Sequence, residues 1–150
     1  HKLRGAVVCK AEIARGIGKA LGMEVCVPRG ATGDVDTDLR SKAKATVELL
    51  QQYDFVVTHF NGTDEAAHRY DALEKVAFIE RIDKEFLGTV LDAVREPLKI
   101  VICGDHVTSS VTGKHDRGAG PVISAFSDGR STVKLENYRD IIKFLMKECD

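Results

Sequence analysis

Asp54-Phe55-Val56-Val57-Thr58-His59-Phe60, followed across Asn61-Gly62 by Thr63-Asp64-Glu65-Ala66-Ala67-His68, is the stretch from which the fold can be read. The first run is apolar and β-branched, as a strand buried in a parallel sheet is. The second opens a long helical pattern. With Thr63 or Asp64 as its cap, Asp64 and His68 stand four apart on one face of the first turn, which is how a helix offers two ligands to one metal ion. A second apolar run, Leu98-Lys99-Ile100-Val101-Ile102-Cys103-Gly104, ends directly in Asp105-His106, and His115 follows in a Gly/Ser/Thr-rich loop. Two strand ends thus each deliver an Asp and a His.

Outward from there, strand and helix alternate. Gly5 to Cys9 is a short apolar run, and Glu12 to Leu21 carries Ile13, Ile17 and Leu21 at helical spacing with Gly22 where a helix-ending glycine belongs. Met23 to Val27 is a second strand, stopped by Pro28. A polar loop from Arg29 to Asp38 ends in cap residues for a helix from about Leu39 to Gln52. The helical stretch after Asp64 runs to about Arg95, with Val76, Ile79, Ile82, Phe86, Val90 and Val94 as its apolar stripe and Gly88 as a place to split. Pro121 to Phe126 is a fifth strand, Ser127-Asp128-Gly129-Arg130 a turn, and Glu136 to Glu148 an amphipathic helix using Tyr138, Ile141, Ile142, Leu145 and Met146. The pattern predicts one α/β domain over residues 1–150, a mostly parallel sheet with helices on both faces. Function in such sheets gathers beyond the carboxyl ends of the strands, where both Asp/His pairs fall.

A chain of 150 residues with formal charge −1 and signs well mixed has no nucleic-acid footprint and no feature that calls for an anionic membrane. No apolar run is long enough to span a bilayer. Cys9, Cys26, Cys103 and Cys149 lack C-x-x-C spacing, and the first three lie in apolar runs, so buried reduced thiols in a soluble, cytoplasmic protein are expected. The chain opens His1-Lys2-Leu3 rather than with Met, which reads as a piece of something longer.

Each part of the Asp/His set has a blander reading. Asp64 could be a helix cap, Asp105-His106 a turn pair, and His115 a solvated loop residue. Their coincidence at the end of one sheet favours metal. Mixed carboxylate and imidazole donors suit Mn²⁺ or Zn²⁺, with Mg²⁺ or Co²⁺ as alternatives. Five donors exceed one catalytic zinc shell and fall short of two full shells, which points to a two-metal site lacking some ligands. Thr108, Ser109, Ser110 and Thr112 form a polar loop with no nucleophile elbow, so a turn is the better reading than a nucleophile. Arg15 precedes Gly16-Ile17-Gly18, which lacks Walker spacing; a solvated or ion-paired arginine is the better reading than a phosphate contact.

Pro28-Arg29-Gly30-Ala31-Thr32-Gly33 with Asp36-Thr37, then Asp64-Glu65-Ala66-Ala67-His68, Glu80-Arg81-Ile82-Asp83, Asp105-His106 and His115 resemble, in order and spacing, the C-terminal part of the archaeal-type cofactor-independent (2,3-bisphosphoglycerate-independent) phosphoglycerate mutases. These are metalloenzymes of the alkaline phosphatase superfamily. The resemblance implies an alkaline-phosphatase-like fold and the interconversion of 3-phosphoglycerate and 2-phosphoglycerate through a phosphoserine on two divalent ions, Mn²⁺ first among them. It places Asp64, His68 and His115 on one metal and Asp105 and His106 on the other, and sets Arg15 near the small phosphorylated substrate. It also implies that the nucleophilic serine and a further metal-binding aspartate belong to an N-terminal segment that is the chain's partner, so that no catalytic nucleophile lies in these residues and the chain alone is inactive as a mutase.

The sequence departs from the family at Thr63, where proline is common, at Ala67 and Val107, where glycine and serine are, and at Gly120-Pro121-Val122, where Asp-Pro-Val is usual. The ligands are intact while the substrate contacts are not fixed. Another phosphatase or phosphonate enzyme of the superfamily therefore stays open, as does a non-catalytic module with a vestigial site and an exposed sheet edge.

Overall fold

The computed structural model of the chain describes residues 3–130, 134–135 and 137–146. These fall into two compact units. Unit 1 takes the chain up to Ala93 together with Thr108–Lys114; unit 2 takes Val94–Val107 and the described residues from His115 onward.

In unit 1 the order is β1 (Gly5–Val8), α1 (Glu12–Ala20), β2 (Glu24–Cys26), α2 (Leu39–Leu50), β3 (Phe55–Thr58), α3 (Gly62–His68), α4 (Ala72–Arg81), a π-helical turn (Ile82–Leu87) and α5 (Gly88–Ala93). The three strands form a parallel sheet in the order β2-β1-β3, with Val7 opposite both Val25 and Val57. Parallel neighbours need crossovers, and α1 and α2 supply them. All four residues of central β1 are buried, as a strand flanked on both sides and covered by helices must be. The strand order reverses at β1, and α3 follows the carboxyl end of β3 beside that switch, where open α/β sheets place their ligands.

Helix ends follow local chemistry. Asp38 caps α2 by accepting from Ser41 N–H at 2.8 Å, and Asp71 caps α4 by accepting from Glu74 N–H at 2.8 Å. Gly22 ends α1 at φ +70°: its N–H reaches Lys19 O and the Met23 N–H reaches Gly18 O, which satisfies two terminal carbonyls. The expected stripe on this helix is turned outward, however, with Ile13, Ile17 and Leu21 exposed. Gly18 packs on the sheet instead, so closely that a Cβ would lie 2.6 Å from Val7 Cγ1. The missing side chain lets the helix approach on that face, and spacing alone does not reveal it.

The single helical stretch expected after Asp64 breaks at Tyr70, not at Gly88. Tyr70 has φ +62°, whereas Gly88 has ordinary helical angles. The stripe is also redistributed: Phe78 and Val90 are buried, while Val76 and Ile79 are exposed. Burying the Phe78 ring contributes about 2 kcal/mol or more.

Unit 2 contains β4 (Lys99–Cys103), β7 (Val122–Phe126) and α6 (Tyr138–Met146). Between β4 and β7 come β5 (Val107–Ser109) and β6 (Lys114–Asp116), a two-stranded ribbon whose tip, Thr108–Lys114, counts with unit 1. β4 and β7 pair antiparallel, Lys99 opposite Phe126 and Cys103 opposite Val122, in a sheet distinct from that of β1–β3. The parallel sheet of β1–β3 with its helices is the expected α/β arrangement; β4, expected to join it, pairs antiparallel with β7 among the described residues. The stretch 104–121 carries no crossover helix, so the return strand can only run antiparallel. Phe144 of α6 is buried and meets the Phe126 ring edge-on at 5.3 Å, while Tyr138 and Ile142 are exposed. Cys9 is buried as expected, but Cys103 is exposed. Glu136 and Glu148, the expected ends of the last helix, and Cys149 lie outside the described residues. Among the described residues no helix is long and apolar enough to cross a membrane.

Candidate metal centre

Helix α3 starts at Gly62, earlier than either expected cap. Asn61 is its N-cap residue; its carbonyl accepts from Asp64 N–H at 2.9 Å and its side chain reaches Glu65 Oε1 at 2.9 Å. Asp64 is therefore released from capping. Its Oδ1 accepts a 2.5 Å hydrogen bond from Thr108 Oγ1, and its Oδ2 lies 3.3 Å from His68 Nε2. The other ring nitrogen of His68, Nδ1, is 2.8 Å from the carbonyl of Gly113. Because a carbonyl only accepts, the proton belongs on Nδ1, and Nε2 is the ring nitrogen turned toward Asp64.

The start of α3 is fixed by close packing. A Cβ on buried Gly62 would meet the Phe78 ring at 2.6 Å, Val35 N at 2.8 Å and Asp34 C at 2.9 Å, so the helix lies directly on the 34–35 loop. Arg69 fastens that loop with paired 2.8 Å hydrogen bonds to both Asp34 oxygens and a 2.7 Å bond to Glu74, and Arg81 donates to Val35 O at 2.9 Å. The Arg69 guanidinium holds the Asp34 carboxyl below its usual range.

Lys42 fixes the end of β3. It is 1% exposed, donates to His59 O at 2.7 Å and lies over the Phe60 ring at 4.8 Å. Burial lowers its pKa to about 8, against a smaller opposing effect of nearby Cys9. The sequence reading missed Lys42. The signal was available, since Leu39, Lys42, Ala43 and Thr46 share one buried face of α2 and a lysine there must find an acceptor.

In unit 2, Asp105 and His106 follow the end of β4 after Gly104, at the expected place. His106 N–H donates to Asp105 Oδ1 at 3.0 Å, His106 Nε2 is 3.5 Å from Asp105 Oδ2, and the His106 and His115 rings lie 4.0 Å apart between centroids. Unit 2 thus gathers Asp105, His106 and His115, and unit 1 gathers Asp64 and His68. Tyr138 Oη donates to the Gly104 carbonyl at 2.6 Å and anchors the end of the strand that presents the pair.

The remaining candidates divide. Ser109 is a turn residue whose Oγ accepts from Val111 and Thr112 N–H, as the loop reading expects, whereas Thr108 is buried and bonded to Asp64. Arg15 lies on α1 with Nε buried and without a hydrogen-bond partner among the described residues.

A donor pair for a divalent ion should present oxygen and nitrogen atoms about 3.0–3.4 Å apart, the edge of an octahedron or tetrahedron with bonds of about 2.1 Å. Asp64 Oδ2 and His68 Nε2, at 3.3 Å, fit that requirement.

Comparison with known proteins agrees with this chemistry. The chain is 40% identical over 143 residues to the 2,3-bisphosphoglycerate-independent phosphoglycerate mutase of Methanopyrus kandleri, a match covering 94% of this chain and 33% of the relative. It is 44% identical over 123 residues to the Saccharolobus islandicus enzyme of the same name, covering 81% of this chain and 30% of that one. The chain spans about a third of the length of these curated relatives. Among solved structures, the PH0037 protein of Pyrococcus horikoshii superposes with a TM-score of 0.77 at 38% identity, over 82% of this chain and 37% of that one. The α/β arrangement fits an alkaline-phosphatase-like fold. A family model described as the Metalloenzyme superfamily matches residues 1–142, and the chain belongs to that superfamily.

Proposed function

We propose that the chain is the C-terminal metal-binding part of a longer phosphoglycerate mutase, an isomerase of glycolysis acting in the cytoplasm. The parent interconverts 3-phosphoglycerate and 2-phosphoglycerate through a phosphoserine whose serine lies outside these residues. The observation that carries the reading is the Asp64–His68 pair, with one oxygen and one nitrogen facing each other at ligand spacing, in a chain similar to named mutases over most of its length. As the family resemblance implies, Asp64 and His68 hold one divalent ion, with His115 assigned to it by sequence alone, and Asp105 and His106 contribute to a second. Mn²⁺ is the first choice for this mixed donor set, ahead of Zn²⁺, Mg²⁺ or Co²⁺. When bound, such ions polarise phosphoryl oxygens and favour an alkoxide nucleophile.

The chain's own residues orient the donors and receive the substrate. Arg15, with its buried Nε in need of an acceptor, meets the phosphate of a small phosphorylated substrate. The partner is the N-terminal segment of the same protein, and neither nucleic acid nor membrane is involved.

Calorimetric titration of the 150-residue chain with Mn²⁺ tests this reading. One site should dominate, and His68→Ala should weaken it at least tenfold; two equally tight sites would contradict the assignment of a ligand to the N-terminal segment. Phosphoglycerate interconversion by the chain alone with Mn²⁺ would contradict the placement of the nucleophile outside it.

A further inference from the structure

Thr108 is 5% exposed, and its position is set twice: Oγ1 donates to Asp64 Oδ1 at 2.5 Å, and its carbonyl accepts from Lys75 Nζ at 2.8 Å. With Oδ1 occupied by this hydroxyl, Oδ2 is the oxygen turned toward His68 Nε2. Gly113 does the corresponding work for His68 by accepting from Nδ1.

Gly113 is itself held. It has φ +61°, and a Cβ there would lie 2.8 Å from Tyr70 Cζ, so the tyrosine ring rests against its backbone. Tyr70 occupies the helix-ending position of α3: its N–H bonds to Ala67 O at 3.0 Å, the Asp71 N–H bonds to Ala66 O at 3.0 Å, and φ is +62°. Glycine is the usual residue at that point, and a side chain there costs about 1 kcal/mol. A glycine could not place a ring on Gly113. The strain is thus retained at a position from which a ring packs on the residue that orients His68.

Building on the reading that Asp64 and His68 bind an ion, we propose that Thr108, Gly113 and Tyr70 are positioning residues: they fix which oxygen of Asp64 and which nitrogen of His68 face the metal, and so set its affinity. Groups behind the ligands of metal sites typically change affinity by about 10–100-fold when removed.

Three measurements on the 150-residue chain decide this. Thr108→Val keeps the shape and removes the hydroxyl; it should weaken Mn²⁺ binding about tenfold or more with a metal-free Tm near that of the parent chain, and Thr108→Ser should restore it. Undiminished affinity in Thr108→Val, or no rescue by serine, overturns the proposal. Tyr70→Gly should raise or preserve the metal-free Tm while lowering Mn²⁺ affinity severalfold, an opposition that a merely structural residue would not produce; affinity equal to that of the parent chain counts against it. The third needs no metal. At pH about 8.5, where an ordinary imidazole is neutral, ¹⁵N spectra should show His68 with its proton on Nδ1, and a proton on Nε2 overturns the proposal. A chain that bound no Mn²⁺ would refute the proposed function, while the tautomer would still decide this inference.

Discussion

Two strand ends in this chain each present an aspartate and a histidine, and they are held by different means. After β3 the pair stands one turn apart on a helix whose first residue is wedged against a loop and whose approach is fixed by a buried lysine. After β4 the pair is adjacent in sequence, and Asp105, with a side chain 78% exposed, is bonded to the backbone of its own neighbour. Several residues distant in sequence converge on the first arrangement. The second combines local geometry with the Tyr138 hydroxyl on the Gly104 carbonyl and the His115 ring beside His106. Identical residue types can therefore rest on scaffolds of very different stiffness, and substitutions around each should separate them.

The largest difference is expected at the glycines that precede the two pairs. Gly62→Ala would force a Cβ against backbone atoms of Asp34 and Val35 as well as the Phe78 ring. Backbone yields poorly, so the cost should reach about 3 kcal/mol, the upper range for overpacking. At Gly104 the nearest atoms to a new Cβ would be His106 O at 3.5 Å and Pro121 Cδ at 3.7 Å, ordinary contact distances. Gly104→Ala should stay within about 0.5 kcal/mol. Urea denaturation of both variants makes the comparison, and equal losses would mean that the two scaffolds do not differ as described.

Lys42 gives a smaller effect with a defined sign. Its pKa falls from 10.5 to about 8 on folding, chiefly through burial. Between those values the unfolded chain binds the extra proton, so stability should rise with pH across the window from about 8 to 10.5. For the parent chain this amounts to about 2 kcal/mol by pH 9.5. Lys42→Met fills the same space without a charge and should lack that rise. Cys9, the thiol near Lys42, is itself held above its usual value by burial, so Cys9→Ala in both backgrounds isolates the lysine. Parallel stability–pH curves for the parent chain and Lys42→Met would show that the amine is not buried as a cation under His59.

These two regions also show what the sequence could and could not disclose. Strand and helix alternation, the caps at Asp38 and Asp71 and the glycine end of α1 depend on neighbouring residues, and all of these but the Asp71 cap were readable in advance. The outward stripe on α1 was not, because it depends on Gly18 allowing close approach to Val7, a contact between elements. The break at Tyr70 was hidden for a related reason: nothing local recommends a tyrosine at φ +62°, and only the packing against Gly113 accounts for it. Antiparallel pairing of β4 with β7 escaped because apolar runs carry no direction; the lack of a helical pattern between Gly104 and Pro121 was the available clue. The site divides in the same way. Asp64, His68, Asp105, His106 and His115 are legible as residue types at strand ends, whereas Thr108 and Lys42 matter through partners 44 and 17 residues away.

The smallest expected effect tests whether the clamp on the first scaffold is electrostatic. Arg69 and Asp34 form a bidentate pair, but their side chains are 42% and 43% exposed, so solvent screening keeps its contribution small. Arg69→Met should be only slightly less stable at pH 7. Because the guanidinium holds the Asp34 carboxyl below its usual value, the pair's contribution is present above about pH 4, where the carboxylate of the unfolded chain is ionised, and is lost as pH falls through the folded-state value. The stability difference between the parent chain and Arg69→Met should therefore close on acidification, and shrink in molar salt. A difference that persisted under both conditions would assign the clamp to packing of the arginine stem, and the rigidity of the α3 scaffold would then owe little to charge.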